Sequence, residues 1–123
     1  MREIKFRAWD EGNEVMINAF SITELYLGSP KRLLLETDNL MQYTGFKDKN
    51  GAEIYEGDIV KYYDSTTMWL KSEVINVGSA FAIQTYENPI LLYDFQHDYE
   101  YQDEPIPELE VIGNIYENPE LVK

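Results

Sequence analysis

The chain has 123 residues, a formal net charge of −13 and no cysteine. This length is that of one ordinary domain, which can bury a core without disulfides or metal ions. With 44% hydrophobic residues, the chain is expected to fold despite its charge. The lack of cysteine excludes disulfide frameworks, thiolate metal sites and cysteine nucleophiles.

The charge is concentrated in the C-terminal third. From Glu87 onward the chain has ten acids and one lysine, a net charge of −9, whereas the first 86 residues carry −4. Self-repulsion of this size favours solubility and disfavours phosphate backbones, whose binding depends on clustered Lys and Arg. We therefore expect no direct contact with nucleic acid. No apolar run approaches the roughly 18 residues of a spanning helix, so we expect no membrane contact either.

The N-terminal segment predicts a β-hairpin. Apolar and polar residues alternate over residues 2–9 and again over residues 15–20, with turn-forming residues between them. Residues 21–27 are ambiguous, because Ser21 and Glu24 have the spacing of a helix capping box while the run itself suits a strand, which we favour. The leucine-rich residues 31–36 fit either a buried strand or a helical turn.

The central stretch, residues 40–63, combines short apolar runs with two turn signals. Residues 40–46 predict a strand, and Asn50-Gly51 then places the two residues that most readily accept positive φ at a tight turn. Gly57 predicts a second turn. The β-branched and aromatic residues 59–63 predict the strand that follows it.

The C-terminal part predicts further strands separated by turn residues. Residues 69–77, 81–86 and 90–95 form a predicted meander, and residues 109–116 form the last strand. The Gly57-Asp58 turn entering Ile59-Val60 resembles the start of SH3-like small barrels. We therefore predict a mainly β fold with little helix, in which an N-terminal β-hairpin packs on a small SH3-like antiparallel barrel. It forms a single domain, with residues 1–39 as the hairpin region and residues 40–123 as a barrel-like core.

Three segments of the chain together resemble the YopX-like family of bacteriophage and prophage proteins. They are MREIKFRAWD at the start, QYTGFKDKNGAEIYEGDIVKY in the middle and VIGNIYENPEL near the end. Their order and spacing are specific, whereas residues 16–39 and 66–107 show no resemblance. The resemblance implies a phage origin and a location in the cytoplasm of the bacterial host. The family has no assigned activity, so the resemblance implies no catalytic residue and no cofactor.

One cluster, residues 94–104, is chemically suggestive because it combines five acids, the single histidine and three aromatic residues. Asp94, His97 and Asp98 could supply three metal ligands, or a His–Asp pair for acid–base chemistry, but the spacing matches no metal-loop motif. An acidic run between strands is usually a solvated loop. We therefore predict no catalytic or metal residue here. The candidate partner-binding residues are Asp94, His97, Asp98, Tyr99, Glu100, Tyr101, Asp103 and Glu104.

The function that the sequence favours is a macromolecular interaction module whose acidic, tyrosine-rich face binds a host or phage protein. Ten tyrosines in 123 residues suit such an interface, with a partner or with another copy of the chain. One alternative is a DNA mimic that inhibits a host nucleic-acid enzyme. The other is a small enzyme or metal-binding protein that uses residues 94–104, and such a protein would need a concave pocket with positioned polar groups.

Overall fold

The computed structural model describes residues 4–21, 39–63, 69–78, 80–84, 88–95 and 105–122. The chain forms two compact units, Met1–Tyr43 and Thr44–Lys123.

The first unit is built on an antiparallel hairpin. Strand β1 (Lys5–Asp10) pairs with β2 (Val15–Ser21), and the predicted hairpin is confirmed. Its turn is held by the Asp10 carboxylate, which accepts hydrogen bonds from the backbone N–H and the side-chain amide of Asn13 at 3.2 and 2.9 Å. These bonds hold the pKa of Asp10 below its usual value.

The other edge of β1 pairs with the first half of β3 (Leu40–Lys47). Ala8, in the middle of β1, is fully buried, with Phe6, Ile17 and Leu40 packed against it. The small side chain of Ala8 allows larger residues from both neighbouring strands to meet over it. Lys5 lies over the Tyr43 ring, with its amine 4.9 Å from the ring centre, which is cation–π distance.

The second unit is a five-stranded antiparallel sheet preceded by a hairpin. The second half of β3 and the short β4 form the hairpin, and the sheet has the order β8-β7-β6-β5-β9. The strands are β4 (Glu53–Tyr55), β5 (Asp58–Tyr63), β6 (Trp69–Val77), β7 (Ala80–Ile83), β8 (Ile90–Leu91) and β9 (Leu109–Asn114).

A buried cluster lies on one face of the five-stranded sheet, and Ile59 and Ala82, which alternate with members of this cluster along β5 and β7, are also fully buried. Register pairs such as Val74 with Ile83 and Tyr62 with Leu109 place large apolar residues side by side on that face. The buried cluster consists of Ile54, Val60, Tyr62, Val74, Phe81, Ile83, Leu92, Ile106 and Leu109. Successive side chains of a strand point to opposite faces of the sheet, so every second residue of a regular strand faces this cluster.

The predicted fold class is confirmed. Strands make up 61% of the described residues. Helical structure among these residues is limited to two 3-10 turns, Leu92–Phe95 and Pro119–Val122. The predicted turns at residues 50–51 and 57 are also confirmed, with φ of +81° at Gly51 and +88° at Gly57. Asn50 does not share the positive φ.

Three predicted strands end earlier in the structure. The strand predicted over residues 81–86 ends at Ile83. The strand predicted over residues 90–95 ends at Leu91, because the 3-10 turn carries Leu92 into the core, where it is fully buried. The strand predicted over residues 109–116 ends at Asn114, whose side chain caps the chain beyond it. Residues 22–27 and 31–36 lie outside the described residues.

Asp48 joins the β3–β4 hairpin to β9. Its side chain is 1% exposed. One carboxyl oxygen accepts the backbone N–H groups of Asn50 and Ala52, each at 2.9 Å, and the other accepts the N–H of Val111 at 2.8 Å. A buried carboxyl group is tolerated only when its hydrogen-bonding capacity is filled, as it is here.

We expect Asp48→Ala to lower the free energy of unfolding of the second unit by roughly 3 kcal/mol, because three partly buried backbone N–H groups lose the side chain that accepts their hydrogen bonds. Urea unfolding followed by circular dichroism measures this change. Asp94→Ala, at an exposed acid of the same unit, is the control and should change stability by less than about 0.5 kcal/mol. Equal losses in the two variants would contradict the role assigned to Asp48.

Candidate functional site

The structure describes only the start of the predicted acidic cluster. Asp94 is exposed on the 3-10 turn Leu92–Phe95, beside Tyr93, which is 47% exposed. The other candidate residues lie outside the described residues: His97, Asp98, Tyr99, Glu100, Tyr101, Asp103 and Glu104. Their assignment to a partner-binding face stays a prediction.

Both ends of this segment are anchored in the core of the second unit. Leu92 precedes it and Ile106 follows it, and both belong to the buried cluster, at 0% and 1% exposure. The Ile106 N–H donates to the Lys47 carbonyl at 2.8 Å, and Ile106 forms a parallel bridge with Asp48. The acidic segment therefore lies between two packed residues, each two positions outside it.

A second pair of acids lies at the β4–β5 turn. Glu73 on β6 pairs in register with Ile59 on β5, and Glu56 lies in the turn that leads into β5. Burial raises the pKa of Glu73, and the nearby negative charge of Glu56 raises it further.

The described residues contain no group of three or more His, Cys, Asp or Glu side chains that could hold a metal ion. The same part of the chain has no helix that is long and apolar enough to cross a membrane.

Residues of the central motif, QYTGFKDKNGAEIYEGDIVKY, hold strands and turns in place through hydrogen bonds to the backbone. The buried Thr44 hydroxyl donates to the Ile54 carbonyl at 2.7 Å, which ties β3 to β4. Asp58, buried at the start of β5, accepts the Tyr55 N–H at 2.7 Å and closes the second turn. The Gly57 N–H donates to the Val74 carbonyl at 2.9 Å. Each of these polar groups fixes a turn or a strand end.

The C-terminal motif, VIGNIYENPEL, also forms hydrogen bonds from side chains to the backbone. The Asn114 side-chain oxygen accepts the N–H groups of Tyr116 and Glu117 at 3.0 and 2.8 Å. A Cβ on Gly113 would lie 2.5 Å from the Asn118 side-chain oxygen, so the close approach of these residues requires glycine. Sequence reasoning identified both motifs by resemblance alone and did not foresee these capping roles. The sequence feature that could have predicted these roles is a short polar residue at a strand end, because such side chains often bond to nearby backbone groups.

Comparison with known proteins identifies the family. The model of the family described as YopX protein matches residues 5–123. The chain belongs to the YopX family. The structure is similar to the crystal structure of protein EF1440 from Enterococcus faecalis, with a TM-score of 0.64 and 26% sequence identity over 100% of both chains. A search among curated proteins finds no match.

We expect Glu73→Gln to raise the melting temperature at pH 7. Folding raises the pKa of Glu73 above the ordinary value of 4.5, so its ionisation destabilises the folded state. The stability that protonated Glu73 contributes is complete below pH 4.5 and is lost as the pH rises through the raised pKa. The advantage of the variant should therefore disappear in melting curves recorded below pH 4.5.

The control for this prediction is Glu11→Gln, which removes the same charge from an exposed turn of the first unit. An equal gain in both variants would mean that net charge alone, and not the surroundings of Glu73, sets the effect.

Proposed function

We propose that this YopX-family protein is an interaction module that binds a host or phage protein through the acidic, tyrosine-rich segment of residues 94–104. The observation that carries the proposal is that the acidic segment lies in the most negatively charged part of the chain and is flanked on both sides by buried residues. The C-terminal third of the chain carries −9 of the net charge of −13, and the acidic segment within it is attached at both ends, at Leu92 and Ile106, to the buried core of the second unit.

Anchored ends favour binding for an entropic reason. A segment whose two ends are held by packed residues has fewer conformations to lose when a partner orders it, so more of the contact energy appears as affinity. The acids steer a basic partner and speed encounter. Tyrosine supplies contact area with few rotatable bonds, and Tyr93 is already 47% exposed beside Asp94.

The charge pattern also supports a more specific version of the proposal, in which the partner is a host nucleic-acid enzyme. Acids spaced along a surface with aromatic residues between them resemble the phosphate track of DNA, and a basic groove would accept them. This version requires that the captured partner binds DNA and that DNA competes with the protein for it.

The proposal includes a phage or prophage origin and a place in the cytoplasm of the bacterial host, both supported by the family resemblance. It describes a protein that acts by binding and needs no cofactor.

We expect the combined change Asp98→Asn, Glu100→Gln and Asp103→Asn to weaken partner binding at least about tenfold, because the variant loses three of the five negative charges of the segment. The partner is first captured from lysate of a bacterial host by tagged protein, after nuclease treatment, and is identified by mass spectrometry after salt elution. Affinity is then measured with the purified partner by isothermal titration calorimetry at low and high salt.

The matched control changes Glu11, Glu14 and Glu120 to glutamine, which removes three charges from exposed positions outside the segment. This control should bind as the wild type does. Binding that survives the change in the segment, or that falls equally in the control, would show that residues 94–104 are not the binding site.

A further inference from the structure

The turn between β3 and β4 contains an asparagine that is followed directly by a glycine. Asn50 and Gly51 are both exposed, and nothing lies within 4 Å of the place that a Cβ on Gly51 would occupy. Asparagine is thermally labile, because the backbone nitrogen of the next residue can attack its side-chain amide. Glycine hinders this attack least, since it has no side chain. No other asparagine of the chain precedes a glycine.

The reaction of such a pair passes through a succinimide ring. The Gly51 nitrogen loses its proton and bonds to Cγ of Asn50, the bond from Cγ to Nδ2 breaks, and the amide nitrogen leaves as ammonia. Water then opens the ring at either carbonyl and gives aspartate or isoaspartate. Both products add a negative charge at residue 50, and isoaspartate also lengthens the backbone by one carbon. No oxidant, reductant or cofactor takes part.

Hydrogen bonds hold the attacking nitrogen in place in the folded chain. The Gly51 N–H donates to the Asp48 carbonyl at 2.9 Å. The Asp48 carboxylate fixes the residues on either side of Gly51, because one of its oxygens accepts the N–H groups of Asn50 and Ala52, each at 2.9 Å. A hydrogen-bonded N–H reacts only after its bond opens, so the rate of attack follows the fraction of chains in which the turn is open.

We propose that Asn50 is a site of spontaneous deamidation and that Asp48 sets its rate by keeping the turn closed. Asp48 is suited to this role because its side chain is 1% exposed and its second oxygen accepts the Val111 N–H at 2.8 Å. The closed turn is thereby tied to β9. Every step uses described residues of this turn, so the inference is independent of the acidic segment and of the proposed function.

The test follows deamidation of the full chain by peptide mass spectrometry, with the chain unfolded in urea as the reference for an open turn. In the native chain, conversion should occur at Asn50, give both aspartate and isoaspartate, and be slower than in urea. Asp48→Ala should raise the native rate at least about tenfold, because two of the N–H groups that hold the turn closed lose their acceptor.

The chain supplies its own chemical controls. Asn13 is exposed in a turn but precedes Glu14, whose side chain hinders attack, and it should react more slowly than Asn50 in urea. Asn88 is exposed and precedes Pro89, which has no N–H and so cannot react in this way. Asn50→Gln keeps an amide at the same position but would need a larger ring, and it should stay unmodified.

Two further variants separate opening of the turn from unfolding of the whole unit. Val74→Ala removes apolar packing from the buried core without touching the turn and should change the rate by less than about twofold, because local opening does not require the core to unfold. Asp48→Asn keeps one carbonyl oxygen as an acceptor and should give a smaller acceleration than Asp48→Ala. It replaces that variant if circular dichroism shows that Asp48→Ala does not fold.

A native chain that shows no conversion at Asn50, or that converts equally at Asn13, overturns the assignment of the site. Formation of aspartate alone, without isoaspartate, would exclude the succinimide route and overturn it as well. The role of Asp48 is overturned if folded variants at this position react at the wild-type rate, or if Val74→Ala accelerates the reaction as much as they do.

Discussion

The hydrogen bonds of the buried Asp48 side chain are the interaction on which the second unit depends. The carboxyl group accepts N–H groups from its own hairpin turn and from Val111, 63 residues further along the chain. A backbone hydrogen bond also connects this turn to β9, since the Lys49 N–H donates to the Leu109 carbonyl at 2.9 Å. A local turn and a long-range strand contact are thereby made by one residue, so neither forms completely without the other.

The motif residues that define the family resemblance serve the same purpose elsewhere. Thr44 joins two neighbouring strands through a side-chain hydrogen bond, and Asp58 and Asn114 each place a short polar side chain against backbone groups at a strand end or turn. Such side chains compete with strand pairing and so set where strands begin and end. In this chain the motif residues therefore position the backbone.

The sequence by itself determined the β class, the N-terminal hairpin and both turns at residues 51 and 57, because alternation and turn chemistry are local properties. It also located the acidic segment by composition. Tertiary structure decided the rest: Leu92 packs in the buried core, Asp48 accepts the N–H of Val111, and Lys61 pairs in register with Lys71. Such pairings depend on contacts between residues far apart in the chain, and no local pattern records them.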